Sequence, residues 1–577
     1  MSPGLFAQGT KSDYARSQGL RKRFANGVFR DAVRPTWFAD GTFSYRIALP
    51  NGASEHVLVD PVKGTRMVVP RSELRGKQRV EVPSRAAPGR RPVRREWGSP
   101  DGKWSAVIRR GNVVLVDRES KAETRLSDDG SPGDSYGRVL WSPDSRRLVA
   151  IQTKSGGDRR VTLVETAPRD RLQPRTVTYP YRKPGDPIPH ARPRLFDVGK
   201  KRRIPVAEQL FANPWSIGHE HWSSDGRRFY FTYNQRGHTV MRVLSVDADT
   251  GVVTPIVDEQ CKTFFDYANK TFVRYLDATG ELLWMSERDG WNHLYLIDLR
   301  TGTVKNRITR GPFVVRRVDE VDVKARELRL QVHGLFPGQD PYHIHHVRVR
   351  FDGTELTHLT DGDGTHGPLR FSPDRAFYLV TFSRVDLPPV TELRRAADGK
   401  LVLTLERADI GELVRAGWRA PERFHAKGRD GTTEIYGLIH QPTNFDPARK
   451  YPVIEYIYAG PHGHHVPKAF RPLHNLPMAM AELGFLVVQI DGMGTNWRSK
   501  AFHDVCWKNL GDSGFPDRIR WIRSAAASHP QMDLSRGVGI FGGSAGGQSS
   551  TRALLAHGDF YKVAVSDCGC HDNRMDK

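Results

Sequence analysis

The run Gly542-Gly543-Ser544-Ala545-Gly546-Gly547 sets one serine among small residues in the spacing G-x-S-x-G. It follows the apolar stretch Val538-Gly539-Ile540-Phe541 and precedes Gln548 to His557, which carries helical periodicity. Strand, sharp turn and helix form the context in which such a serine stands free as a nucleophile. A serine forced into strained backbone space leaves little room for neighbouring side chains, which accounts for the glycines. The amino end of the following helix adds its dipole to a developing oxyanion. The chemistry expected of Ser544 is attack on an acyl carbon. The competing reading, a glycine-rich turn or phosphate loop, lacks the lysine that a P-loop requires.

Two histidine groups stand apart from this motif. One is Tyr342-His343-Ile344-His345-His346, with two imidazoles on one strand face; the other is His462, His464 and His465. Neither has a carboxylate or cysteine at ligand spacing, so both are expected as solvated strand or loop residues. Four cysteines in 577 residues make no disulfide framework. The cluster Cys568-Gly569-Cys570-His571-Asp572 lacks the second pair of a structural zinc site, and its thiols are expected to be buried. No metal and no cofactor is expected.

The elements that hold Ser544 begin near Ala420. Glu434 to His440, Tyr451 to Tyr458 and Phe485 to Ile490 read as strands, the last two nearly continuous in apolar residues. A helix is expected around Met478 to Leu483. Another runs from Pro516 to His529, with Ile519, Ile522 and Ala526 on its apolar face. Strands alternating with helices predict a doubly wound α/β domain.

Upstream, one phrase recurs: an aromatic, a small residue, an Asp-containing turn, then a β-rich run. It starts at Trp37, Trp97, Trp141, Trp222, Trp284 and Phe371. A second signature ends in Asp, as in Val57-Leu58-Val59-Asp60, Val243-Leu244-Ser245-Val246-Asp247 and Leu294-Tyr295-Leu296-Ile297-Asp298. The shortest gap between markers is 44 residues and two others are near twice that, so about eight units fit the interval. Four strands per repeat predict a β-propeller of about eight blades. The expected organisation is a lead-in over 1–36, a propeller over 37–419, and an incomplete α/β domain over 420–577.

Composition narrows the classes further. Hydrophobic residues at 38% supply a core, and mean hydropathy is −0.54 with no run near the ~20 apolar residues of a membrane helix. No membrane span is expected. Lys+Arg outnumber Asp+Glu by 88 to 65, a net charge of +23. The densest basic stretch, Arg71 to Arg95, has prolines but no aromatic, so an exposed connector is expected rather than a nucleic-acid surface. Met1 to Tyr14 holds neither the charged nor the apolar region of an export signal. The default expectation is cytoplasmic, or periplasmic or secreted if a leader has been lost.

Propeller then α/β domain, with Tyr458-Ala459-Gly460-Pro461, Asp491-Gly492-Met493-Gly494 and the serine motif, resembles the prolyl oligopeptidase family of serine peptidases. Within that family the chain is similar to the dipeptidyl peptidase IV-like branch. The resemblance implies an α/β-hydrolase catalytic domain and hydrolysis of oligopeptides through an acyl-enzyme at Ser544. It gives the oxyanion two donors, the Tyr458 hydroxyl and the Ala545 backbone N–H, and makes the propeller a screen. Peptide is then the expected partner; oligomeric state is left open, a dimer included.

The sequence departs from the family in three places. Only 33 residues follow Ser544, and His571 lies too early for the catalytic loop. The triad Asp and His are therefore expected to be missing, and the chain reads as truncated or catalytically silent. A non-catalytic, propeller-based peptide-binding protein is the alternative. The stretch Asp128 to Arg138 lacks the paired Glu that holds a substrate amino terminus in this branch. Cys568 to Asn573 lacks the aromatics of the family's proline pocket.

Overall fold

The structure is a computed structural model that describes residues 9–81 and 96–575. Among the described residues, seven sheets of four or five strands cover 36–407, and 160–165 pairs with 175–180 as a separate two-stranded ribbon. The propeller-type sheets and the ribbon occupy the interval to which the repeat spacing assigned about eight units.

The recurring phrase has a hydrogen-bond explanation. In each of Ser99, Ser142, Ser223 and Ser372 the hydroxyl donates to the Asp two residues later at 2.6 Å. The same oxygen accepts the N–H five residues later at 2.9–3.0 Å, closing the turn into its strand. The second signature ends the same way each time: Asp60, Asp117, Asp247 and Asp298 accept backbone N–H groups two and three residues on. Such Asx turns fix the hairpin geometry locally. The repeated tryptophans join successive sheets, Trp141 donating its indole N–H to the Trp97 carbonyl and Trp222 to that of Leu140.

The chain forms two compact units. One takes its described residues from Met1–Arg85, Asp289–His293 and Ile308–Cys570, the other from Ala86–Arg288, Leu294–Arg307 and His571–Lys577. The second unit holds the ribbon and the sheets within 96–125, 134–204, 214–260 and nearly all of 273–307. The first holds the sheets within 36–80, 314–358 and 365–407, together with a mixed sheet of seven strands.

The strands of that mixed sheet are β1 (Glu422–Lys427), β2 (Glu434–His440), β3 (Tyr451–Tyr456), β4 (Leu486–Asp491), β5 (Met532–Asp533), β6 (Val538–Gly543) and β7 (Tyr561–Asp567). Their order is β1-β2-β4-β3-β6-β7, with β5 beside β3. β2 is antiparallel to β4, and β4, β3, β6 and β7 run parallel. The helices of this unit include α1 (Lys11–Phe24), α2 (Asn475–Ala481), α3 (Phe515–Ser528) and α4 (Ala545–Ala556).

α1 lies within the lead-in expected over 1–36. Thr10 and Asp13 form a capping box at its start, and Leu20 and Phe24 pack on Leu413, Trp418, Phe470 and Met478. The inner face of α3 also differs from expectation. Phe515, Trp521, Ile522 and Ala525 are fully buried, while Ile519 and Ala526 flank them. The larger rings take the core because they bury more apolar surface.

Two burial expectations are corrected. His343, His345 and His346 are 2%, 1% and 1% exposed rather than solvated. His345 bonds the Gln339 side chain and His346 donates to the Gly367 carbonyl, so interior partners replace water. None of the four cysteines is in a disulfide, and Cys568 is exposed while the others are only partly buried, so none is a buried thiol. Cys568 follows edge strand β7, where nothing among the described residues covers it. Of the basic stretch Arg71 to Arg95, residues 82–95 lie outside the described residues, as do 1–8 of the amino-terminal segment.

Candidate active site

Ser544 sits between β6 and α4 with φ 55° and ψ −122°, outside the regions an L-residue ordinarily occupies. Its N–H donates to the Asp567 carbonyl at 2.9 Å, and its own carbonyl accepts the Gln548 N–H at 3.1 Å. These bonds hold the strained residue from both sides, and its side chain is exposed. The flanking glycines are required sterically. A Cβ on Gly542 or Gly546 would press on the Ile457 carbonyl oxygen, and one on Gly547 would lie 2.6 Å from the Asp567 carbonyl.

That close crossing brings the Tyr458 segment onto the turn. Ile457 donates its N–H to Phe541 at 3.0 Å, and a Cβ on Gly546 would lie 3.5 Å from the Tyr458 Cα. A Cβ on Gly460 would meet both the Tyr458 ring, at 3.1 Å, and the Ala545 Cβ, at 3.8 Å. The structure thus gathers Ser544, Ala545 and Tyr458 around one turn. Ala545 is the first residue of α4, where N–H groups lack intrahelical partners. Tyr458 is 42% exposed.

The loop after Tyr458 is held by contacts that the motif Asp491-Gly492-Met493-Gly494 and the histidine spacing do not reveal. Asp491, at the end of β4 and 1% exposed, accepts the N–H groups of His465 and Val466. His503 donates from Nε2 to the Pro461 carbonyl at 2.8 Å. The His465 ring lies 5.6 Å from that of Tyr458 and edge-on to Tyr456, which stacks on Phe541. Burial pulls the His465 pKa down to about 4, with Arg518 and His464 acting in the same direction and Asp491 against. His465 is therefore a neutral ring packed against Tyr458 at neutral pH.

Beneath the turn lies a buried charged group. Arg518 donates to Glu455 at 2.6 Å and to the Ser513 carbonyl at 2.8 Å, and the Tyr561 hydroxyl donates to the other Glu455 oxygen at 2.6 Å. Glu455 and Arg518 are 0% and 1% exposed. Burial, then the Glu455 charge, pushes the Tyr561 pKa well up, so the phenol remains a donor. This group ties β3, α3 and β7 together around the motif strand β6. The signal was a lone Glu in an apolar strand, which must find a partner when buried.

Other candidates fall elsewhere. His462 is exposed, and His464 is partly buried against Tyr342. His571 is exposed. In the stretch Asp128 to Arg138, Asp129 accepts from Tyr136 and Arg203, and Asp134 pairs with Arg192. These carboxylates are already matched.

Residues 83–389 match the family model for the dipeptidyl peptidase IV N-terminal region, and 473–577 match that of the prolyl oligopeptidase family. The chain belongs to the prolyl oligopeptidase family, in its dipeptidyl peptidase IV-like branch. Among similar members, dipeptidyl peptidase 8 of Mus musculus is 32% identical over 559 residues, covering 81% of this chain and 62% of that protein. A probable dipeptidyl-aminopeptidase B of Emericella nidulans is 25% identical, covering 79% of this chain and 54% of its own length. The chain thus spans little more than half the length of these prolyl oligopeptidase relatives. The crystal structure of Porphyromonas gingivalis dipeptidyl peptidase 4 shares the fold with a TM-score of 0.64 at 22% identity, covering 94% of this chain and 76% of that one.

Proposed function

We propose that this chain carries the nucleophile and oxyanion site of a serine peptidase acting on oligopeptides. The domain with this role is residues 420–577, and the sheets of 37–419 are those of a β-propeller. The observation that carries the reading is the backbone of Ser544, φ 55° and ψ −122°, at a strand-to-helix turn packed against Tyr458. Strain of this kind persists where surrounding structure over-determines it, and it clusters at reacting residues.

In the proposed reaction the Ser544 oxygen attacks the scissile carbonyl while its proton passes to a general base. In the chain order of this fold class, that base follows the nucleophile. The new oxyanion takes hydrogen bonds from the Ala545 N–H and the Tyr458 hydroxyl. Collapse of the intermediate releases the amine and leaves an acyl-Ser544, which water then hydrolyses. Each oxyanion donor is expected to contribute roughly 10²–10³ in kcat.

The test is covalent labelling by a fluorophosphonate together with oligopeptide hydrolysis, on the polypeptide as its gene encodes it. Labelling at Ser544 that vanishes in Ser544→Ala, with hydrolysis falling by about 10⁶, supports the reading. Tyr458→Phe should lower kcat with KM little changed. Hydrolysis that survives Ser544→Ala sinks it.

A further inference from the structure

Away from the residues assigned to acyl transfer, the first sheet carries a cleft of about 1190 Å³. Its walls present Arg34, Arg46, Arg71, Arg75 and Arg79 against one carboxylate, Asp31. A sixth cation, Lys77, is paired with Asp40. Among the described residues the five arginines form no ion pair, and the Nε of Arg46 reaches only the Ser54 hydroxyl at 3.0 Å. Pairing is otherwise the habit of this sheet: Arg30 meets Glu55 and Glu406, and Arg66 meets Glu406. Around this sheet, the arginines without a carboxylate partner are those that line the cleft.

Like charges around one opening repel each other, and an anionic ligand relieves that repulsion. A cleft lined by one sign also concentrates its potential and raises the local concentration of opposite charge. Guanidinium groups match carboxylates in a two-pronged geometry that a lysine does not offer. The volume exceeds the roughly 300–1,000 Å³ of small-molecule pockets, which fits a length of chain better than a single ion. The Phe38 and Tyr45 rings in the lining are 4% and 3% exposed and offer no open face to stack a nucleobase, which leaves only the half-buried His56 ring.

We propose that this cleft binds an acidic stretch of peptide, several Asp or Glu residues long, as an electrostatic exosite. The assignment does not depend on Ser544, and binding should be unchanged in Ser544→Ala.

The experiment measures anisotropy of a fluorescein-labelled deca-glutamate against the full chain at low and moderate salt, with deca-glutamine as the neutral control. The charge-reversed variant R34E/R75E/R79E is compared with R310E/R415E/R536E, which makes the same charge change at exposed positions outside the cleft. The milder R34Q/R75Q/R79Q is carried in parallel, so that a folding defect in the reversed variant does not decide the result. Deca-glutamate should bind, deca-glutamine should not, and binding should weaken steeply with salt. Both cleft variants should lose at least tenfold in affinity while the outside variant loses less than twofold in excess of the salt-matched trend. Equal losses in the cleft and outside variants would mean net charge alone, and would overturn the site. Tripolyphosphate or an oligo-dT that binds more tightly than deca-glutamate and is lost in the same cleft variants would overturn the peptide assignment.

Discussion

One carboxylate oxygen of Asp491 accepts the His465 N–H at 2.8 Å, and its other oxygen accepts that of Val466 at 3.1 Å. A side chain at the end of β4 therefore fixes the loop that runs on from Tyr458, and the His465 ring above it packs on the tyrosine. Asp491→Asn replaces one acceptor with an N–H₂ group facing an N–H. It should cost about 1–3 kcal/mol, since a buried donor is left unsatisfied. Because Tyr458 loses its backing, kcat should fall by more than the stability loss explains, with KM less affected. Denaturant unfolding and steady-state kinetics on the same preparation check this; intact kcat in a destabilised variant would remove Asp491 from the positioning of Tyr458.

Acid should weaken the fold before its carboxylates titrate. Burial first of all holds His465 and His474 at about 4, and His440 and His345 at about 3, against an ordinary value of about 6.5. Each is neutral when folded and takes up a proton on unfolding below about pH 6.5. The folded state thus binds fewer protons, and stability present above pH 6.5 is lost as pH falls toward 4. Each group contributes a slope of up to about 1.4 kcal/mol per pH unit. Unfolding midpoints between pH 7.5 and 5.0 should fall, and His440→Gln should flatten the dependence by about one proton. An unchanged slope in that variant would mean His440 is not held neutral.

The buried pair below the turn makes an asymmetric prediction. Removing one partner strands a charge, so Arg518→Met should cost about 3–5 kcal/mol. Tyr561→Phe removes one donor from a carboxylate that keeps its guanidinium, and about 1–2 kcal/mol is expected. The double change Glu455→Gln/Arg518→Met should cost less than Arg518→Met alone, because no unpaired charge remains. Urea unfolding of the three variants decides; a double variant less stable than Arg518→Met alone would mean the pair stabilises through packing rather than by keeping charge matched.

How far this could be read in the sequence depends on the range of the interaction. The turns after Ser99, Ser142, Ser223 and Ser372 are written within six residues, so the repeat announces its hairpins. The serine motif is contiguous and so is legible, although its glycines answer to the carbonyls of Ile457, just past β3, and of Asp567, at the end of β7. The roles of Asp491, Arg518 and His503 depend on partners 25 to 63 residues away, and no spacing rule reveals them. The helix α1 was legible in its capping box, Thr10 to Asp13, but its apolar face is only Leu20 and Phe24, too narrow a stripe to show a period. The histidines at 343, 345 and 346 misled for a related reason: their interior partners, Gln339 and Gly367, come from neighbouring segments.

The strain at Ser544 should be measurable as stability gained when activity is destroyed. Its side chain is exposed, so truncation loses little packing. Alanine keeps the Cβ and with it the cost of φ 55°, ψ −122°, whereas glycine removes it. Strain of this kind is worth about 1–3 kcal/mol, offset by about 0.4–1 kcal/mol for the greater freedom of glycine in the unfolded chain. Ser544→Gly should therefore be more stable than Ser544→Ala by about 1 kcal/mol, while both abolish fluorophosphonate labelling. The comparison is made by denaturant unfolding at one pH, with the midpoint and slope fitted together. A glycine variant less stable than the alanine variant would show that the turn is relaxed, and the argument for Ser544 as a pre-strained nucleophile would fall with it.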